Sequence, residues 1–100
     1  MIVVSEAIQA DPEAFDELID HFLKTMLPIL RQQMGHHLTT VLTDPVGGTM
    51  LLLGQWFTPQ DRQVFLDSDD YREYTARSDE MNHVLGGPPH VVIYDLRLQG

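Results

Sequence analysis

A helix near the C-terminus carries polar side chains where an apolar face is expected. Tyr71, Tyr74, Thr75, Ser78, Met81, Asn82 and Leu85 follow i, i+3, i+4, i+7 spacing, which sets them on one helical face. Thr75, Ser78 and Asn82 run down its middle. Buried polar groups need partners. Either these three bond to nearby backbone, as Ser and Thr often do in helices, or they line a wet or ligand-filled cavity. Asn82 is the hardest of them to satisfy locally. A second candidate is Trp56, the only tryptophan, near the end of the apolar stretch "LLLGQWF" at 51–57. Period two puts Met50, Leu52 and Gly54 on the Trp56 face of a strand and Gln55 on the other. A glycine inside a strand often marks close approach by a ligand or another backbone. Ser5 and Ala7 are small residues on one face of the first strand and leave room. These residues predict a pocket between helix and sheet, with Trp56 as a stacking wall. Ser5, Tyr71, Tyr74, Thr75, Ser78 and Asn82 are its candidate ligand-binding residues. The alternative, Trp56 as plain core, stays open.

Other chemistries find less support. His36 and His37 are adjacent on a strand, point to opposite faces and cannot chelate one ion. His21 lies off the apolar stripe of its helix. Asp79 and His83 share a helical face, but two ligands fall short of a metal site, and no metal is expected. The chain has no cysteine, so it has no disulfide, thiolate nucleophile or Cys-ligated zinc. It has no phosphate-binding glycine loop after a strand and no nucleophile elbow.

The positioning elements follow from pattern and caps. Met1–Gln9 starts β-branched and reads as a strand. Asp11-Pro12 is an N-cap with proline at the first helical position. Phe15, Leu18, Ile19, Phe22, Met26, Ile29 and Leu30 then continue at helical period to about Met34, stopped by Gly35. Pro28 lies inside this helix and predicts a kink or break. His36–Thr43 is a second strand, Asp44–Thr49 a hairpin loop, and Met50–Phe57 a third strand. Thr58-Pro59 opens a short helix to about Leu66. Ser68 caps the last helix, with Asp69 and Asp70 in its first turn. Gly86-Gly87-Pro88-Pro89 ends it, and His90–Leu98 is the final strand. The order βαββααβ over a single domain, 1–100, predicts an α+β ferredoxin-like sandwich: helices on one face of a four-stranded antiparallel sheet.

A chain of 100 residues with net charge −9 and only 6 Lys and Arg lacks the basic surface that nucleic acid or anionic membrane requires. It has no apolar run of membrane-spanning length and no signal-like N-terminus. These features predict a soluble cytoplasmic protein with neither partner. The strands alternate poorly: Val3, Ala7, Leu51, Leu53, Phe57, Val92, Tyr94 and Leu96 fall on the face away from the helices. So apolar a face needs cover, and a homodimer packed sheet on sheet supplies it.

Taken in order, "DPVGGTMLLLGQWFTPQDRQVFLDSDDYREYTAR" followed by "GGPPHVVIYDL" resembles the antibiotic biosynthesis monooxygenase (ABM) superfamily. The resemblance rests on Gln55-Trp56, the short helix, Ser68 with Tyr71 and Arg72, and the Gly-Pro-Pro before the last strand. It implies a dimeric α/β barrel. It also implies an oxidation of hydroquinones or anthrones, aromatic or polyketide-like, with O₂ and no cofactor. Trp56 and Arg72 match residues associated with that site, Arg72 as a cation for a phenolate. Two other positions depart from the branch: Leu52 stands where it has Asn, and Arg62 where it has Tyr. A haem-degrading branch is matched only at Trp56, with Ala7 and Thr75 at its other positions, and haem held by His83 or His37 is a weaker reading. A non-catalytic small-molecule-binding dimer and a non-oxidative cyclase or isomerase are the alternatives.

Overall fold

The computed structural model describes residues 1–100. Four strands form one antiparallel sheet: β1 (Ile2–Gln9), β2 (His36–Asp44), β3 (Thr49–Trp56) and β4 (His90–Asp95). Their order is β2-β3-β1-β4, the ferredoxin-like arrangement, and the sheet is open at both edges. The helices pack on one face. They are α1 (Phe15–His21), α2 (Leu27–Arg31), α3 (Pro59–Leu66) and α4 (Asp69–Asp79). No helix is long and apolar enough to cross a membrane.

The caps form as the sequence indicates. Thr58 accepts from the Asp61 N–H and Ser68 from the Tyr71 N–H. Pro28 has its effect one turn earlier in the chain. Phe22–Met26, between α1 and α2, is a π-helical turn in which the Leu27 N–H bonds to the Phe22 carbonyl. A proline has no N–H and crowds the preceding turn, and the wider π turn absorbs the mismatch without ending the helix. The last helix is shorter than its periodicity suggests. It stops at Asp79, and Asn82–Val84 forms a separate 3-10 turn. Asp79 and Glu80 stand at its C-terminal end, where the helix dipole disfavours negative charge. The last strand also ends early, at Asp95, leaving Leu98 exposed.

Register fixes which side chains meet the helices. Ile2 pairs with Trp56, Val4 with Gly54, Glu6 with Leu52 and Ile8 with Met50. Across the other edge of β1, Val4 pairs with Ile93 and Glu6 with Val91. Alternate residues share a face. The helix-facing set therefore contains Ile2, Val4, Glu6, Ile8, Met50, Leu52, Gly54 and Trp56. Of these, Ile2, Val4, Ile8, Met50, Leu52 and Trp56 join Phe15, Leu18, Phe22, Met26, Leu30, Phe65 and Met81 in the core. Glu6 is the one charged residue in this stretch of the helix-facing sheet. The opposite face carries Val3, Ser5, Ala7, Leu51, Leu53 and Gln55, flanked by exposed Leu38, Leu42 and Tyr94.

Candidate active site

A cavity of about 250 Å³ lies between the sheet and α3 and α4. Its floor is Val4, Glu6, Leu52, Gly54 and Trp56, with Val91 from β4. Its roof is Arg62, Phe65 and Leu66 from α3 and Tyr71, Tyr74, Thr75 and Ser78 from α4. Phe22, the first residue of the π turn, and Leu30 close one side, and His36 and Thr39 of β2 the other. A smaller cavity of about 70 Å³ adjoins it, sharing Glu6, Phe22, Leu52, Tyr74, Ser78 and Pro89.

The aromatic wall is built in layers. Trp56 stacks on Phe65, centroids 5.5 Å apart and planes 26° apart. Phe65 in turn meets Tyr71 and Tyr74 edge to face at 5.4 and 5.6 Å. His36 completes the wall, its ring edge-on to Trp56 at 5.4 Å. A bulge between His36 and Leu38 breaks the β2–β3 register. Bulges re-aim side chains, and here His36 faces Trp56 while His37 packs on Phe57 on the other side. Gly54 sits within the wall. A Cβ there would lie 3.8 Å from Thr39 Oγ1 and 3.9 Å from Trp56 Nε1, so its absence leaves space against the indole.

Three titratable groups of the cavity are shifted. Burial pushes the Glu6 carboxyl above its ordinary value, and the Arg62 guanidinium offsets part of that rise. Burial, together with the charges of His37 and Arg31, lowers His36. Its imidazole is thus mostly neutral at pH 7, and its Nε2 shares a 2.9 Å hydrogen bond with Thr39 Oγ1. Burial, with Glu6 and Tyr71 nearby, raises Tyr74 far above the usual phenol range and keeps its hydroxyl protonated.

The structure brings together Trp56, Tyr71, Tyr74, Thr75 and Ser78 of the sequence-predicted residues. Three others lie elsewhere. Ser5 is on the opposite face of the sheet, paired with Leu53 and Val92, because its parity is that of Val3 and Ala7. Asn82 is exposed in the 3-10 turn, because α4 ends before reaching it. Arg72 points to solvent, its side chain 84% exposed and paired with Asp69 at 2.9 Å. The cation of the cavity is Arg62. Thr75 takes the local option, its hydroxyl donating to the Arg72 carbonyl at 2.9 Å.

Sequence reasoning missed Glu6, Arg62, Phe65 and His36. The signal for Glu6 was parity, since it shares a face with Ile2, Val4 and Ile8. For Arg62 it was the i, i+3, i+4 relation to Phe65 and Leu66. His36 depends on a bulge that the pattern does not display. No three His, Asp or Glu side chains cluster as a metal site.

Comparison with known proteins agrees with this architecture. A monooxygenase from the gene ActVA-Orf6 of Streptomyces coelicolor, solved in complex with nanaomycin D, superimposes with a TM-score of 0.83 at 19% identity, over 98% of this chain and 88% of that one. A conserved protein from Methanosarcina mazei Go1 gives 0.75 at 16% identity, over 96% and 92%. Rv0793 from Mycobacterium tuberculosis gives 0.73 at 15%, over 98% and 96%. At these identities the likeness is one of fold. No curated protein matches the sequence. The family profile of the antibiotic biosynthesis monooxygenases matches residues 1–77, and the chain belongs to that family.

Proposed function

We propose that the protein is a cofactor-independent monooxygenase acting with O₂ on a small aromatic or polyketide-like substrate of hydroquinone or anthrone type. One observation carries this reading: an aromatic-walled cavity of about 250 Å³ that holds one carboxylate and one guanidinium among apolar side chains. Family membership supports monooxygenase chemistry. The nanaomycin D bound to the Streptomyces relative supports a small-molecule ligand.

Such a reaction asks the protein to bind an electron-rich ring, favour its anion and exclude water, because the substrate anion itself reduces O₂. Trp56 and Phe65 offer stacking surfaces. Arg62 stabilises negative charge developing on a substrate oxygen. Tyr74, held protonated, donates a hydrogen bond, and Ser78 adds a second polar contact. The test is O₂ uptake with a panel of anthrones and naphthohydroquinones, without added flavin or metal. The expected product has gained one oxygen and lost two hydrogens. No O₂ uptake across the panel refutes the reading, and turnover under nitrogen favours an isomerase or cyclase.

The same reading includes a homodimer packed through the outer sheet faces, closing two open sheets into a barrel. The outer face supports it: Leu38, Leu42 and Tyr94 are exposed there beside Val3, Leu51 and Leu53. An exposed apolar patch of this kind marks an interaction surface, and a second copy covers it. Sedimentation at micromolar concentration is expected to give a dimer, and a monomer refutes it.

A further inference from the structure

We propose that Glu6 is the proton shuttle of the cavity, accepting the acidic proton of the bound substrate and returning it to the reduced oxygen. Glu6 stands on β1, an interior strand, between Leu52 and Val91 and in line with Val4 and Ile8. Both cavities touch it. None of the ion pairs in the molecule includes it, and no side-chain hydrogen bond reaches it.

A lone carboxylate on an apolar sheet face contributes nothing to packing and disfavours folding when ionised. It borders the cavity with no partner in the chain, so its carboxylate is free to meet whatever occupies that space. Burial raises its proton affinity, which makes it a better base near neutral pH than an exposed carboxylate. Arg62 from α3 lies close enough to moderate that rise. The other titratable groups around it are Tyr71 and Tyr74 from α4, His36 from β2 across the cavity and His21 from α1 at the smaller one. The neighbouring strands present only Leu52 and Val91.

For an anthrone the steps balance as follows. The Glu6 carboxylate takes one methylene proton, and the C–H electron pair delocalises onto the ring carbonyl oxygen, which Arg62 stabilises. The anion gives one electron to O₂, and the radical pair joins to a C–O–O⁻ anion. Protonated Glu6 returns its proton to that terminal oxygen. Glu6 then removes the second C–H proton as the O–O bond breaks, forming the new carbonyl. The departing hydroxide takes the proton back from Glu6 and leaves as water.

The choice of an anthrone and the oxygen half of this sequence rest on the function proposed above, whereas the first proton transfer needs no O₂. Deuterium uptake into the anthrone methylene, followed by NMR under nitrogen, reads that first transfer alone. The wild type is expected to accelerate exchange, with a rate that rises through a single acid limb above the ordinary carboxyl value of 4.5. Glu6→Gln, nearly isosteric, is expected to lose about 10²- to 10⁴-fold and the limb with it. Glu6→Asp, with the carboxylate withdrawn by one methylene, keeps the limb at a reduced rate. Exchange in Glu6→Gln that matches wild type, or no acceleration by wild type, overturns the assignment. Exchange that depends on Glu6 without any O₂ uptake supports the base and refutes the oxygenase. O₂ uptake that survives Glu6→Gln does the reverse.

Discussion

Gly54→Ala separates the two roles a strand glycine can play. Gly54 has no positive φ, so alanine fits the backbone without strain. Its Cβ would find only ordinary contacts, at 3.8 Å to Thr39 Oγ1 and 3.9 Å to Trp56 Nε1 and the Val4 carbonyl. Removing unfolded-state freedom then stabilises the fold by about 0.4–1 kcal/mol. For a domain of this size that raises Tm by about 2–8 °C. The added methyl occupies roughly 30 Å³, close to a water's share of volume, or about an eighth of the 250 Å³ cavity. If the ligand fills the space against the indole, overlap costs about 1–3 kcal/mol, a loss of roughly 5- to 150-fold in affinity. Thermal melts by circular dichroism read the first effect. Quenching of the single tryptophan by anthrone reads the second, since Trp56 is itself the wall. A lower Tm would mean that the backbone needs glycine. A higher Tm with unchanged affinity would mean that the space beside Trp56 is outside the site.

Four further variants have expected outcomes. Glu6→Gln should be more stable than wild type at pH 7. The folded pKa of Glu6 lies above its unfolded value, so the native state binds the extra proton and wild-type stability falls as pH rises through that window. Denaturation titrations at several pH values should show the gap closing as pH drops toward 4.5, and a gap independent of pH would refute it. Arg72→Ala should leave O₂ uptake unchanged and alter stability by less than about 1 kcal/mol, as for exposed ion pairs. Arg62→Met should lower turnover by far more and move the acid limb of the pH profile upward, because Arg62 holds Glu6 down. Equal effects of the two arginine variants would contradict the site. Trp56→Ala, at a position 4% exposed, should cost about 3–5 kcal/mol by urea denaturation, so Trp56→Phe is the variant for ligand studies.

The antiparallel ferredoxin-like sheet, the caps at Thr58 and Ser68 and the placement of Trp56 beside Gly54 were readable from sequence. Each is a local consequence of side-chain period or backbone chemistry. Parity also carries Glu6, the charged member of the Ile2, Val4, Ile8 face. The polar stripe of the last helix misled at Asn82 because periodicity does not say where a helix stops. Asp79 and Glu80 at its end oppose continuation, and Asn82 drops out of the face. Ser5 is small but shares the parity of Val3 and Ala7, so it opens no room on the helix-facing side. Arg62 shares a face of α3 with Phe65 and Leu66, whereas Arg72 lies one turn after Asp69 on α4 and pairs with it in solvent. Only the packing of α3 over Trp56 brings one guanidinium into the cavity and leaves the other in water. His36 turned on a bulge, which depends on how β2 registers against β3. The elements and the faces of the strands are legible in the chain alone, because backbone sterics and side-chain alternation act over a few residues. The tertiary structure alone decided which cation and which carboxylate share the cavity, because that depends on how separate elements settle against one another.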